Sequence, residues 1–188
     1  MKNYIIIIIF TVTLLIGCAP RHYMPVVGNG VERTGEFAML RLDDTMIIAA
    51  ADLWIIEPRF LPDYFTTIHI RVQNRTNRSI TINPSDFAII DEFLTQDDIV
   101  SPDLVLEIML ADPSLIPERY IIAPDTQREH AARLNAIRRN IMTRGFSFGE
   151  IHPGASKEGV LFFPRLDRRN QEFTLVYKGN EIRFKRSR

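Results

Sequence analysis

Cysteine is nearly absent from this sequence. Cys18 is the only one in 188 residues, so no disulfide within the chain can staple a fold, and stability must come from burial. Net charge is absent as well: 23 Lys and Arg stand against 23 Asp and Glu, which removes the basic field that holding nucleic acid requires. No apolar run reaches the roughly 20 residues of a membrane-spanning helix. No nucleophile elbow, zincin helix, phosphate loop or dinucleotide fingerprint occurs. The four histidines, His22, His69, His130 and His152, stand far apart, and no acid–histidine spacing matches a metal site. The expectation is a chain without catalytic residues, cofactor, metal or nucleic-acid partner. What is present is ordinary: 46% hydrophobic and 24% charged residues suit a single globular domain at this length.

The lone thiol has a local explanation. Lys2 supplies a small positive start, and Ile5 to Ile16 is apolar apart from Thr11 and Thr13. As a helix that run spans roughly 18 Å, well short of a hydrocarbon core of about 30 Å, which suits the apolar region of a cleaved signal peptide. The run closes on Leu15-Ile16-Gly17-Cys18, which resembles the lipobox of bacterial lipoprotein precursors. Ile16 replaces that family's frequent Ala or Ser at a tolerant position. The resemblance implies that residues 1–17 are removed and that Cys18 takes a diacylglycerol. Each buried methylene contributes about 0.8 kcal/mol, so two or more acyl chains hold firmly where one is marginal. Ala19 rather than Asp follows the cysteine; by the sorting rule of enterobacterial lipoproteins this implies the outer membrane, facing the periplasm.

Residues 18–35 contain Pro20, Pro25, Gly28, Gly30 and Gly35 and read as a flexible tether. Residues 36–188 read as the domain. Strands are expected at Phe37–Leu42, from Met46 to Ile56, at Ile80–Ile82, Phe87–Ile90, Gly159–Phe163, Phe173–Tyr177 and Glu181–Phe184. The clearest is Thr66–Val72, where Ile68, Ile70 and Val72 alternate with polar neighbours. A tight Lys178-Gly179-Asn180 turn joins the last two. Seven or eight short strands with polar turns predict an all-β fold, an immunoglobulin-like antiparallel β-sandwich. A helical insertion at about 95–147 interrupts it. Ser101-Pro102-Asp103 opens a short helix. Thr126 and Glu129 form a capping box for a longer one that ends at Gly145 as a left-handed cap. In that helix His130, Leu134, Ile137 and Ile141 make an apolar stripe.

The run Thr67 to Asp91, TIHIRVQNRTNRSITINPSDFAIID, resembles the telokin-like, immunoglobulin-like domain of unknown function found in many bacterial lipoproteins. That family has an alternating strand, an Asn-containing turn, a short strand, a Pro/Ser bend and a Phe-x-x-x-Asp strand. Its later Pro-Gly, Gly-x-x-x-Phe and hairpin segments correspond to Pro153-Gly154, Gly159 to Phe163 and Phe173 to Phe184. The likeness covers about two-thirds of the chain after Cys18. It implies the sandwich fold and a cell-envelope setting, and brings no catalytic residues.

Charge is unevenly spread. Residues 91–118 hold eight acids and no base, whereas 119–144 hold six arginines against Asp125 and Glu129. Either the two stretches neutralise one another, or they form a polarised surface for a partner. Arg128 and Arg139, on the outer side of the long helix, are the candidate partner-surface residues. Asp97-Asp98 lacks the glycine and spacing of a calcium loop. Glu150 and His152 flank a Pro-Gly turn and read as a solvated loop. The basic end, Arg183 to Arg188, reads as a frayed C-terminus in preference to a lipid or glycan contact. The expected function is non-enzymatic: a membrane-anchored envelope lipoprotein whose sandwich docks onto or scaffolds another envelope protein or polymer. The alternative is a small-ligand or substrate-binding accessory with a pocket between helix and sheet.

Overall fold

A computed structural model describes residues 22–111 and 124–187. Two five-stranded antiparallel sheets face each other. The first has the order β1 (Tyr23–Pro25), β12 (Asn180–Arg186), β11 (Glu172–Tyr177), β7 (Phe87–Asp91), β8 (Gln96–Asp98). The second runs β10 (Ser156–Pro164), β5 (Phe65–Asn74), β4 (Thr45–Ala51), β3 (Phe37–Arg41), β2 (Val31–Thr34). A small ladder of β6 (Ile80–Ile82) with β9 (Gly149–Ile151) closes one side. The protein is therefore an antiparallel β-sandwich with a helical insertion.

Alternation explains the core. Ile68, Ile70 and Val72 of β5 point inward with Leu161 and Phe163 of β10, and meet Ile89, Phe173, Leu175, Ile182 and Phe184 of the facing sheet. Phe173 and Phe184, paired across β11 and β12, stack with ring centroids 5.1 Å apart. The expected turn between these strands is present, with Lys178 at φ 47° and Gly179 at φ 78°, the two left-handed residues that a tight hairpin needs.

The insertion supplies α1 (Pro102–Ala111) and α2 (Pro124–Arg144). Ser101 caps α1 as expected, its Oγ accepting the Leu104 amide at 3.2 Å. The helices cover the outer face of the second sheet. Phe162, the β10 residue between Leu161 and Phe163, points outward into a second apolar cluster with Trp54, Phe65, Val105, Met109, Ile137 and Ile141. Two glycines permit the close seat. A Cβ on Gly145 would come within 2.7 Å of Pro102 Cγ, and one on Gly159 within 2.5 Å of Phe146 Cα. The Phe146 amide donates to the Val160 carbonyl at 2.9 Å, stitching the end of the insertion to β10.

Several expectations are corrected. The tether of 18–35 does not hold from Tyr23 onward: β1 pairs with β12 and β2 with β3, and Tyr23 and Val31 are core residues. Glycine and proline there shape turns between short strands. The strand expected to reach Ile56 stops at Ala51, because Asp52 takes a left-handed φ of 59° and turns Trp54 to the outer cluster. The long helix begins at Pro124, so Thr126 lies inside its first turn instead of preceding it. Gly145 is not among the residues of positive φ; its role is the close approach to α1. Arg183 and Arg186 are not frayed, since β12 continues to Arg186; Arg188 lies outside the described residues.

Candidate functional site

Cys18, the expected lipidation site, lies outside the described residues, as do the side chains of Thr126 and of its helical neighbours up to residue 127. The other expected surface is described. In α2, Ile137 and Ile141 are fully buried, while Leu134 and His130 are half-buried along the same stripe. Arg128, Arg133, Arg138, Arg139 and Arg144 are all exposed. Among the described residues no salt bridge joins these arginines to the acidic stretch. Asn140 fastens the helix to the β4–β5 loop, its Nδ2 donating to the Glu57 carbonyl at 2.7 Å.

The acidic stretch divides into separate roles. Asp91 turns the β7–β8 hairpin, its Oδ1 accepting the amides of Phe93 at 2.9 Å and Thr95 at 2.7 Å. Burial pushes the Asp97 carboxyl up, and Asp91 and Asp98 add to the rise. No group of three or more metal-ligating side chains occurs among the described residues. His69 meets Glu158 at 3.2 Å on the outer face of the sheet. Exposed His152 stands 3.1 Å from Ser79 Oγ and 3.8 Å from Glu150. The expected pocket position, between helix and sheet, holds the apolar cluster of Phe162.

A concave site lies elsewhere, at the end of the sandwich where the chain enters from its N-terminal segment. It is a groove of about 480 Å³ lined by His22, Asp52, Trp54, Arg165, Arg168 and Arg186, among others. Far-separated segments build it: the start of β1, the β4–β5 loop, the β10–β11 loop and the end of β12. Asn170, fully buried, knits them. The Tyr23 hydroxyl donates to the Asn170 carbonyl at 2.9 Å, Asn170 Nδ2 donates to the Tyr23 hydroxyl and to the Glu172 carbonyl, and Oδ1 accepts the Glu92 amide at 3.1 Å. The Arg186 guanidinium lies 5.1 Å from the Tyr23 ring centroid and donates to the Arg168 carbonyl at 2.6 Å.

Electrostatically the groove is mixed. Burial pushes the Asp52 carboxyl up from its ordinary range, opposed by the Tyr23 amide, His22 and Arg186. Arg165 donates to the Asp63 carbonyl. On the rim, the Arg169 guanidinium holds Asp167 down at about 2. The groove thus sets two carboxylates, Asp52 and Asp63, beside three arginines. Nothing in the sequence flagged this groove; its only local sign is the acid at position 52 in an otherwise apolar run.

No known protein family, curated protein or solved structure matches the chain. The likeness of Thr67–Asp91 to the telokin-like domain therefore rests on its residues alone.

Proposed function

We propose that the chain is a bacterial envelope lipoprotein, anchored through a diacylated Cys18 in the outer membrane and facing the periplasm, whose sandwich is a non-enzymatic docking or scaffolding module. The partner is an acidic envelope protein or polymer. The observation that carries the reading is the exposed arginine face of α2, Arg128 and Arg139 included, which among the described residues makes no ion pair with the acidic stretch while the opposite stripe is buried. Exposed arginines on a helix that packs through its other side are available for carboxylate or phosphate recognition. The immunoglobulin-like reading of the sandwich belongs to the same proposal.

Intact-mass analysis of the protein purified from membranes should give a chain that begins at Cys18 and carries acyl groups. Cys18→Ser should leave the leader attached and the acyl mass missing. An unacylated wild type would overturn the anchor. Capture of an acidic envelope component that survives in wild type and fails in the Arg128→Ala, Arg139→Ala variant supports docking; equal capture by both overturns it. The groove favours a second reading, a small anionic ligand bound by Arg165, Arg168 and Arg186, which titration calorimetry with small carboxylates and phosphates would test.

A further inference from the structure

The proposed anchor and the folded domain are very close together. Four peptide units separate Cys18 from His22, the first described residue, and even a fully extended chain covers only about 14 Å over that length. Tyr23, next along, is already buried and hydrogen-bonded to Asn170. If the lipid is on Cys18, the end of the sandwich holding the start of β1 stands within that reach of the bilayer.

That end has an unusual surface. Three of its apolar side chains lie in water: Ile55 is 81% exposed, Phe93 57% and Leu94 85%. Ile55 lines the groove beside His22. Phe93 and Leu94 form the tip of the β7–β8 hairpin, which Asn170 ties to Tyr23 through the Glu92 amide. Leu94 sits there at φ 65°, a left-handed conformation in which a branched side chain is strained and Asn or Gly is at ease. Toward the opposite end, the turns 42–44, 75–79, 152–155 and 178–179 contribute no exposed large apolar residue among the described ones, and the 26–30 turn exposes Val27 alone.

Several acids of the anchor end already have donors, although Glu57 Oε2 is buried without a partner among the described residues. Asp91 takes two amides of its own hairpin, Glu92 accepts the Gln171 amide, Asp63 meets Arg165 and Asp167 meets Arg169. The exposed Arg168 side chain has no such partner among the described residues.

We propose that this end of the sandwich rests on the bilayer, seating Ile55, Phe93 and Leu94 among the lipid headgroups with Arg168 beside their phosphates. The inference rests on the lipoprotein reading for its anchor. Exposed apolar tips next to arginine suit the membrane interface, where apolar atoms leave water and guanidinium meets phosphate. The domain is then held in one orientation relative to the bilayer.

Trp54 is the only tryptophan and lines the groove, so it reports on this end alone. The membrane-purified protein, its mass recorded, is reconstituted into phosphatidylcholine–phosphatidylglycerol vesicles with or without a nitroxide on the headgroup. Docking predicts loss of most Trp54 emission in the nitroxide vesicles. The Ile55→Ser, Phe93→Ser, Leu94→Asn variant should recover most of it with an unchanged circular-dichroism spectrum. Leu94→Asn alone should recover part and melt no lower than wild type. An acylated chain whose Trp54 is unquenched, or a triple variant quenched like wild type, overturns the docking and leaves the anchor standing; the tips would then belong to a protein partner or a second copy. An unacylated chain without its leader overturns anchor and docking together.

Discussion

Phe162 and Phe163 are neighbours in β10, yet they belong to different cores. Phe163 fills the space between the two sheets, where nearly every wall is a strand paired to other strands. Phe162 lies under the helices, in a smaller cluster built from one sheet face, the β4–β5 loop, α1 and α2. The inner core is closed by long-range pairing on both sides, so loosening it loosens everything. The outer cluster depends on a single insertion seated by Gly145 and Gly159. Regions with fewer buried partners open at lower free energy than the sheets they sit on, and the insertion is such a region. A docking surface placed there can adapt to a partner while the sandwich stays fixed.

The sharpest way to break this contrast is to empty both cores and compare. Phe163→Ala should cost about 3–5 kcal/mol, with hydrogen exchange rising across both sheets. Ile141→Ala should cost about 2–5 kcal/mol at most, with exchange rising first in α1 and α2. If the sheets lose protection equally, the insertion is an integral part of one cooperative unit and the contrast fails. Half-buried Leu134 should cost less than Ile141 when cut to alanine.

A smaller effect separates charge from packing in the groove. Ionised Asp52 is disfavoured by burial. The folded state therefore holds this proton more tightly than the unfolded chain, and the penalty appears as pH rises from the ordinary carboxylate range through the raised folded value. Asp52→Asn, which also suits the left-handed backbone there, should melt slightly higher than wild type at neutral pH. The difference should close in acid, where wild-type Asp52 is protonated. A pH series of thermal melts reads this directly; a variant that melts lower at every pH would make the carboxylate structural. Smallest of all, Arg128→Ala with Arg139→Ala should leave the melt within about 1 kcal/mol, since exposed charges contribute little to stability. A loss equal to that of Ile141→Ala would mean those arginines hold the fold.

Where a strand is long and one-sided, its side chains announce it. Ile68, Ile70 and Val72 mark β5, and the stripe ending in Ile137 and Ile141 marks α2. The strands that escaped notice, β1, β2, β8 and β9, have three or four residues each, too few to show a period. Their pairing is decided by partners far along the chain. Tyr23 looked like tether because its reason for burial, Asn170, lies 147 residues away. The groove was illegible for the same cause: its walls meet only after both sheets have closed. Phe93 and Leu94 are visible as apolar residues in the sequence, but only the hairpin geometry leaves them in water.

The entry of the chain also has a mechanical meaning. Tyr23 pairs with Arg186 and Pro25 with Phe184 in antiparallel register, and the amides of Val26 and Ser187 extend the ladder on either side. A pull delivered through a lipid on Cys18 would run along β1, parallel to the strand and across its hydrogen bonds. Those bonds would then be loaded in shear, sharing the force instead of opening one after another as in a zipper. A three-residue strand is a modest handle, but buried Tyr23 is its first grip, and the last strand of the chain takes up the strain.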